Sequence, residues 1–99
     1  MAINLIVKDA AELEIIEIVD WYNFIKHGLK NRFYKALLNK FDKIILRPTS
    51  YFYYKKDFSR AILKYFSHLI IFKATEKEII IYSIIYEGRN PALINKKIN

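Results

Sequence analysis

A chain of 99 residues that is 54% hydrophobic and 16% aromatic can pack one core and has no room for a second, so a single domain over 1–99 is expected and disorder is excluded. Cysteine is absent, which removes disulfides and thiolate chemistry and leaves His27 and His68 as the nitrogen donors for any metal. The net charge of +7 is uneven: residues 1–20 hold one base and five acids (1 − 5 = −4), residues 21–99 sixteen bases and five acids (16 − 5 = +11), a balance that suits an acidic protein partner, nucleic acid or the ribosome.

The 18 Ile and 13 Lys set against 2 Gly and 4 Arg suggest an AT-rich coding sequence, a source of lysine that needs no target. The opening MAINLIVKDA has too short an apolar run for a signal peptide, and no stretch approaches the roughly 20 apolar residues of a membrane span. A cytoplasmic protein with no membrane partner is therefore expected.

In chain order, Ala2 to Lys8 alternates as a first strand through Ile3, Leu5 and Val7. Asp9 is placed to cap a helix, with Glu12 in the capping-box position. The helix is expected from about Ala10 to Ile25, with Leu13, Ile15, Ile16, Val19, Tyr22 and Ile25 as its apolar face and Glu14, Glu17 and Asp20 on the solvated side. Gly28 suits a left-handed stop. A second helix follows from about Leu29 to Leu46, its stripe stepping through Leu29, Phe33, Leu37, Phe41 and Ile44. Arg47-Pro48 ends it, and the short link makes the pair an antiparallel hairpin.

Tyr51 to Lys56 reads either as an aromatic-packed loop or as a short edge strand. Phe58 to Phe66 alternates, with Arg60, Ile62, Lys64 and Phe66 on one face and Ala61, Leu63 and Tyr65 on the other. Ser67-His68 is read as a turn, Leu69 to Ala74 as a strand, Thr75 to Glu78 as a hairpin loop and Ile79 to Tyr86 as the last strand. With Ser83 its single polar interior residue, that last strand is expected to be central and buried on both faces. The fold class is α+β: N-terminal strand, antiparallel helical hairpin, then a three-stranded antiparallel meander with the helices on one face.

The order of elements and several local strings resemble the ParE/RelE toxin superfamily, the ParE-like branch in particular. Asp9-Ala10-Ala11-Glu12-Leu13 with Ile18-Val19-Asp20-Trp21-Tyr22 resembles its first helix. Gly28-Leu29 with Arg32-Phe33 resembles its interhelical junction, and Arg60 to Phe72 its middle hairpin. Tyr86-Glu87-Gly88-Arg89-Asn90-Pro91 resembles its closing motif, with tyrosine where histidine is more usual.

The resemblance implies a type II toxin, the toxin of a plasmid stabilisation system, that binds a protein target such as DNA gyrase. It further implies an acidic antitoxin, in a toxin–antitoxin hetero-oligomer, and no cofactor. The RelE-like alternative is a ribosome-dependent endoribonuclease acting on messenger RNA, in which Arg60, Lys64 and Arg89 would surround the scissile phosphate. A non-toxic interaction module of the same fold is a third reading. Two departures weigh against cleavage: Leu69 stands where the RelE branch opens a strand with arginine, and Ala92 to Asn99 lacks a tyrosine.

Arg60, Lys64, Tyr86 and Arg89 are thus the candidate target- or antitoxin-binding residues. Each also has a plainer role. Arg89 can anchor its own turn through Glu87 or Asp57, and Arg60 and Lys64 can be the solvated face of a strand. Lys55-Lys56 beside Tyr53-Tyr54 could stack bases over a phosphate-binding patch, but packing of the aromatics under a loop explains them more simply. Trp21 and Tyr22 are expected between hairpin and sheet, His27 at a helix C-terminus, and His68, without a carboxylate nearby in sequence, in no catalytic role.

Overall fold

A computed structural model describes residues 4–86 of the chain. The elements are β1 (Asn4–Val7), α1 (Asp9–Ile25), α2 (Leu29–Leu46), a short 3-10 turn (Pro48–Ser50), β2 (Phe52–Lys55), β3 (Phe58–Leu63), β4 (His68–Ala74) and β5 (Glu78–Tyr86). They form a five-stranded sheet in the order β1-β5-β4-β3-β2. β1 runs parallel to β5, and every other pair is antiparallel. Both helices pack on one face, so the α+β class stands; β5 lies between β1 and β4 over Glu78 to Ile81, but the middle strand is β4. The meander has four strands rather than three, because Phe52–Lys55 pairs with β3 as an edge strand.

The helical hairpin forms where the sequence stops and restarts it. Gly28 takes φ 84°, left-handed backbone that a side chain would strain. α2 then buries Phe33, Leu37, Phe41 and Ile44, each worth about 1.5–3 kcal/mol when taken from water. These side chains meet Ala61, Leu63, Ile70, Phe72, Ile79, Ile81 and Ile84 of the sheet in one core.

At the start of α1 the N-cap is Lys8, without a side-chain cap, and Asp9 is already inside the helix. The capping-box reading was therefore one residue out of register. Asp9 and Glu12 still lie in the first turn, where the helix dipole favours acids. The apolar face also shifts. Ala11, Ile15, Ile18, Val19 and Tyr22 pack on the core, whereas Leu13, Ile16 and Ile25 are exposed. α1 is apolar nearly all round, so periodicity alone could not choose its phase.

β5 contains a bulge. Ile71 pairs with Ser83 but Phe72 with Ile81, which leaves Tyr82 as an extra residue. The alternation slips there by one: Ile79, Ile81 and then Ile84 face the helices. On the far face Phe58, Leu69, Ile71 and Ile85 form a second cluster, with Tyr54 and Tyr82 packed against it. The β4–β5 loop is closed by Thr75, whose hydroxyl accepts from the backbone N–H groups of Lys77 and Glu78.

Residues 64–67 are a turn, and His68 opens β4. Lys64 and Phe66 are therefore not strand residues beside Arg60, and His68 is not in the turn.

Candidate functional site

The end of the sheet beside α1 holds side-chain hydrogen bonds that join distant parts of the chain. Their cause is the shortness of β1. The ladder between β1 and β5 ends at Val7 opposite Ile81, where the Lys8 N–H donates to the Ile81 carbonyl at 3.0 Å. The chain then turns into α1, and β5 runs on without a strand at that edge. Glu14 takes the place of the missing neighbour. One of its carboxylate oxygens accepts from the Ser83 hydroxyl at 2.9 Å and from the Ile84 N–H at 3.3 Å. Glu14 was read as solvated; it is half-buried against the sheet.

Next to it, Tyr22 and His68 meet across the hairpin. The Tyr22 hydroxyl lies 3.1 Å from His68 Nε2 and 3.4 Å from the Phe66 carbonyl. His68 is buried, ringed by Phe33, Tyr22 and, at 5.8 Å, Tyr86. Burial pushes the Tyr22 phenol above its ordinary pKa, and the neighbouring Tyr86 phenol pushes it further. Glu14, Glu17, Trp21, Tyr22, His68 and Tyr86 line a cleft of about 600 Å³ here. A phenol and an imidazole within hydrogen-bond reach can exchange a proton, and the exposed rings of Trp21 and Tyr86 can stack on an incoming group. Trp21, expected between hairpin and sheet, instead lies exposed and stacks on Phe24 at 6.2 Å.

A second polar region lies on the sheet face turned away from the helices. Lys73 Nζ sits 4.6 Å from the Phe58 ring centroid and 5.5 Å from that of Tyr82, with Lys8 Nζ 5.4 Å from Tyr82. The Arg60 guanidinium stands 5.8 Å over Phe52. Burial raises the Tyr54 pKa and the charge of Arg60 opposes that rise. Cations over aromatic faces make a surface suited to anionic or aromatic ligands.

The sequence candidates are therefore dispersed. Arg60 pairs with Ile71 and belongs to the far face. Tyr86 pairs with His68 at the helix-side cleft. Lys64 sits near α2, where its charge, after burial and Lys43, helps to lower the pKa of Lys40. Arg60 and Lys64 thus do not share a cleft, because the strand ends before Lys64. Arg89 lies outside the described residues. His27 is exposed in the interhelical turn.

Glu14, Tyr22 and His68 were missed as a group. The signal for Glu14 was present: it lies one turn from Ile18 on α1 and three residues from Ala11, beside the buried stripe, and Ser83 is the lone polar residue inside a buried strand. Two such groups must find partners, and they find each other. Tyr22 and His68 carry no comparable signal, being 46 positions apart.

No protein-family model matches the sequence, and no curated protein does either. Solved structures do. The chain is similar to a chain of the chromosomal ParDE TA system from P. aeruginosa, with a TM-score of 0.73 at 14% identity over 86% of this chain and 96% of that one. It is also similar to the isolated E. coli RelE toxin, with a TM-score of 0.59 at 14% identity over 99% of this chain and all of that one. Element order and both likenesses agree: the chain has the fold of the ParE/RelE toxin superfamily.

Proposed function

We propose that this chain is the toxin of a type II toxin–antitoxin pair, that it acts in the cytoplasm by binding a protein target such as DNA gyrase, and that an acidic antitoxin holds it inactive. The observation that carries this reading is the dispersal of its cations. Arg60 and Lys64 lie on different sides of the sheet, and Leu69 is a buried core residue. Phosphodiester cleavage needs cations and an acid/base converging on one phosphate. Dispersed cations fit a broad docking surface better. Tyr86 and Arg60 are assigned to target or antitoxin contact, and Arg89 with them.

A second reading, a RelE-like endoribonuclease acting on ribosome-bound messenger RNA, is favoured by one observation: the Tyr54 phenol and the Arg60 guanidinium are electrostatic neighbours on the far sheet face. Induced expression, alone and with a small acidic protein encoded next to the gene, tests both. Growth arrest relieved by the neighbour supports a toxin. DNA supercoiling and ribosome-bound mRNA cleavage assays then separate the mechanisms. Unaffected growth in both cases leaves only the non-toxic interaction module.

A further inference from the structure

We propose that the cleft between α1 and the end of β5 is a binding site for a guanidinium group, which lies against the rings of Trp21 and Tyr86 and takes Glu17 as its counter-charge. The inference goes beyond the toxin reading and does not rest on it.

Two elements build the walls. Glu14, Glu17, Ile18 and Trp21 follow one another at i, i+3, i+4 and i+7 on α1, so they form a single stripe along the helix. That stripe lines the cleft of about 600 Å³. Tyr86, the last residue of β5, supplies the sheet-side wall. Within the stripe Ile18 packs on the core, and Glu14 is tied to Ser83 and Ile84. Glu17 is exposed. Trp21 is 59% exposed and Tyr86 51%. Large rings left half in water at the rim of a cleft are contact surfaces, because their apolar faces gain by being covered.

The lining itself selects the ligand. Among the described residues no lysine or arginine borders the cleft, although the chain carries 17 of them against 10 acids. Its carboxylates are Glu14 and Glu17. Tyr22 and His68 are engaged with each other, and the Tyr22 phenol, pushed up by burial and by Tyr86, adds no negative charge near neutral pH. Carboxylates attract a cation, and so do the faces of Trp and Tyr rings. A guanidinium answers both walls at once. It is planar and stacks on a ring, and its fork of N–H donors meets a carboxylate. Glu17 lies one helical turn before Trp21, so a group stacked on the indole is within reach of that carboxylate. An ammonium uses the charge but not the stacking. The cleft falls within the roughly 300–1,000 Å³ of small-ligand sites, so the guanidinium can arrive on a small molecule or on an arginine of a partner chain.

Trp21 is the single tryptophan of the chain, so its fluorescence reads the cleft directly. The full chain is titrated with acetyl-Gly-Arg-Gly-amide and, separately, with agmatine. At least one should change the emission saturably, with a dissociation constant on the order of 1 mM; which of them binds tells an arginine on a polypeptide from a free small cation. Acetyl-Gly-Lys-Gly-amide should bind about fivefold more weakly or worse. Glu17→Gln and Tyr86→Leu, both at exposed positions, should each weaken binding by about fivefold while circular dichroism shows the fold retained. Asp20→Asn is the control: Asp20 is the neighbour of Trp21 in sequence but lines the groove between the helices instead, and its loss should leave binding unchanged. No saturable change with either probe up to about 20 mM, equal binding of the lysine peptide, binding indifferent to Tyr86→Leu, or equal weakening by Glu17→Gln and Asp20→Asn would each overturn the proposal.

Discussion

Glu14 and Ser83, 69 positions apart, hydrogen-bond at 2.9 Å across the junction of α1 with the vacated edge of β5. The same carboxylate holds the Ile84 N–H. Its removal strands two donors at once, and an abandoned buried donor costs more than an average hydrogen bond contributes. Glu14→Ala should destabilise the fold by about 2–4 kcal/mol and Ser83→Ala by about 1 kcal/mol. In the double variant the losses should fall short of their sum, since the pair is one interaction. Urea denaturation of the three proteins measures this; strict additivity would show that the two residues act independently.

Tyr22→Phe keeps the ring contacts with Phe33 and Phe66 and deletes only the hydroxyl facing His68. We expect a loss of about 1–2 kcal/mol and a shift of the His68 Nε2 resonance in nitrogen NMR spectra. Tyr86→Phe is the control: Tyr86 is half exposed and meets His68 through its ring. Stability should barely change there, and an equal loss in both variants would remove the Tyr22–His68 hydrogen bond from the account.

Alkaline pH should unfold the protein early. Burial raises the folded-state pKa of Tyr22, Tyr51 and Tyr54 above the ordinary phenol value. A raised folded pKa means that the native state holds its proton more tightly than the unfolded chain. The corresponding stability is fully present below about pH 10 and is lost as pH rises through the folded values. The midpoint of urea unfolding should therefore fall between about pH 9 and about pH 11. Tyr22→Phe should flatten that fall. Comparing the two proteins at each pH cancels the contribution of Lys40, whose lowered pKa works in the opposite direction. Parallel pH profiles would refute the assignment of Tyr22.

Arg60 and Lys64 should separate in function. Arg60→Ala removes an exposed guanidinium from the far face and should change stability by no more than about 0.5 kcal/mol, while growth arrest weakens. Lys64→Ala should leave arrest intact and, by relieving Lys40, stabilise the fold by a few tenths of a kcal/mol, roughly the size of a like-charge pair on a surface. Equal loss of arrest in both variants would mean that one binding surface reaches both residues.

Much of the fold was legible because its signals are local. The bounds of α2, the stop at Gly28 and the buried run of β5 each rest on neighbouring residues. What the sequence hid depends on long-range pairing. The phase of α1 could be chosen only by the sheet beneath it. Lys64 left its strand because the β3–β4 turn begins three residues earlier than alternation implies, with Tyr65 and Ser67 adopting positive φ. The cleft escaped notice because Tyr22 and His68 come from opposite halves of the chain, and no spacing rule links them.

The parallel pairing of β1 with β5 has a consequence for synthesis. Leu5 finds its partner only at Ile79 and Val7 only at Ile81. During translation the hairpin can form early, but the first strand waits, unpaired, until the last has left the ribosome. Glu14 waits as well, because Ser83 and Ile84 emerge later still. Among the described residues, then, the sheet closes in one late step. A nascent chain interrupted before Ile79 would carry an open strand edge and a bare apolar helix flank, features that chaperones and proteases engage.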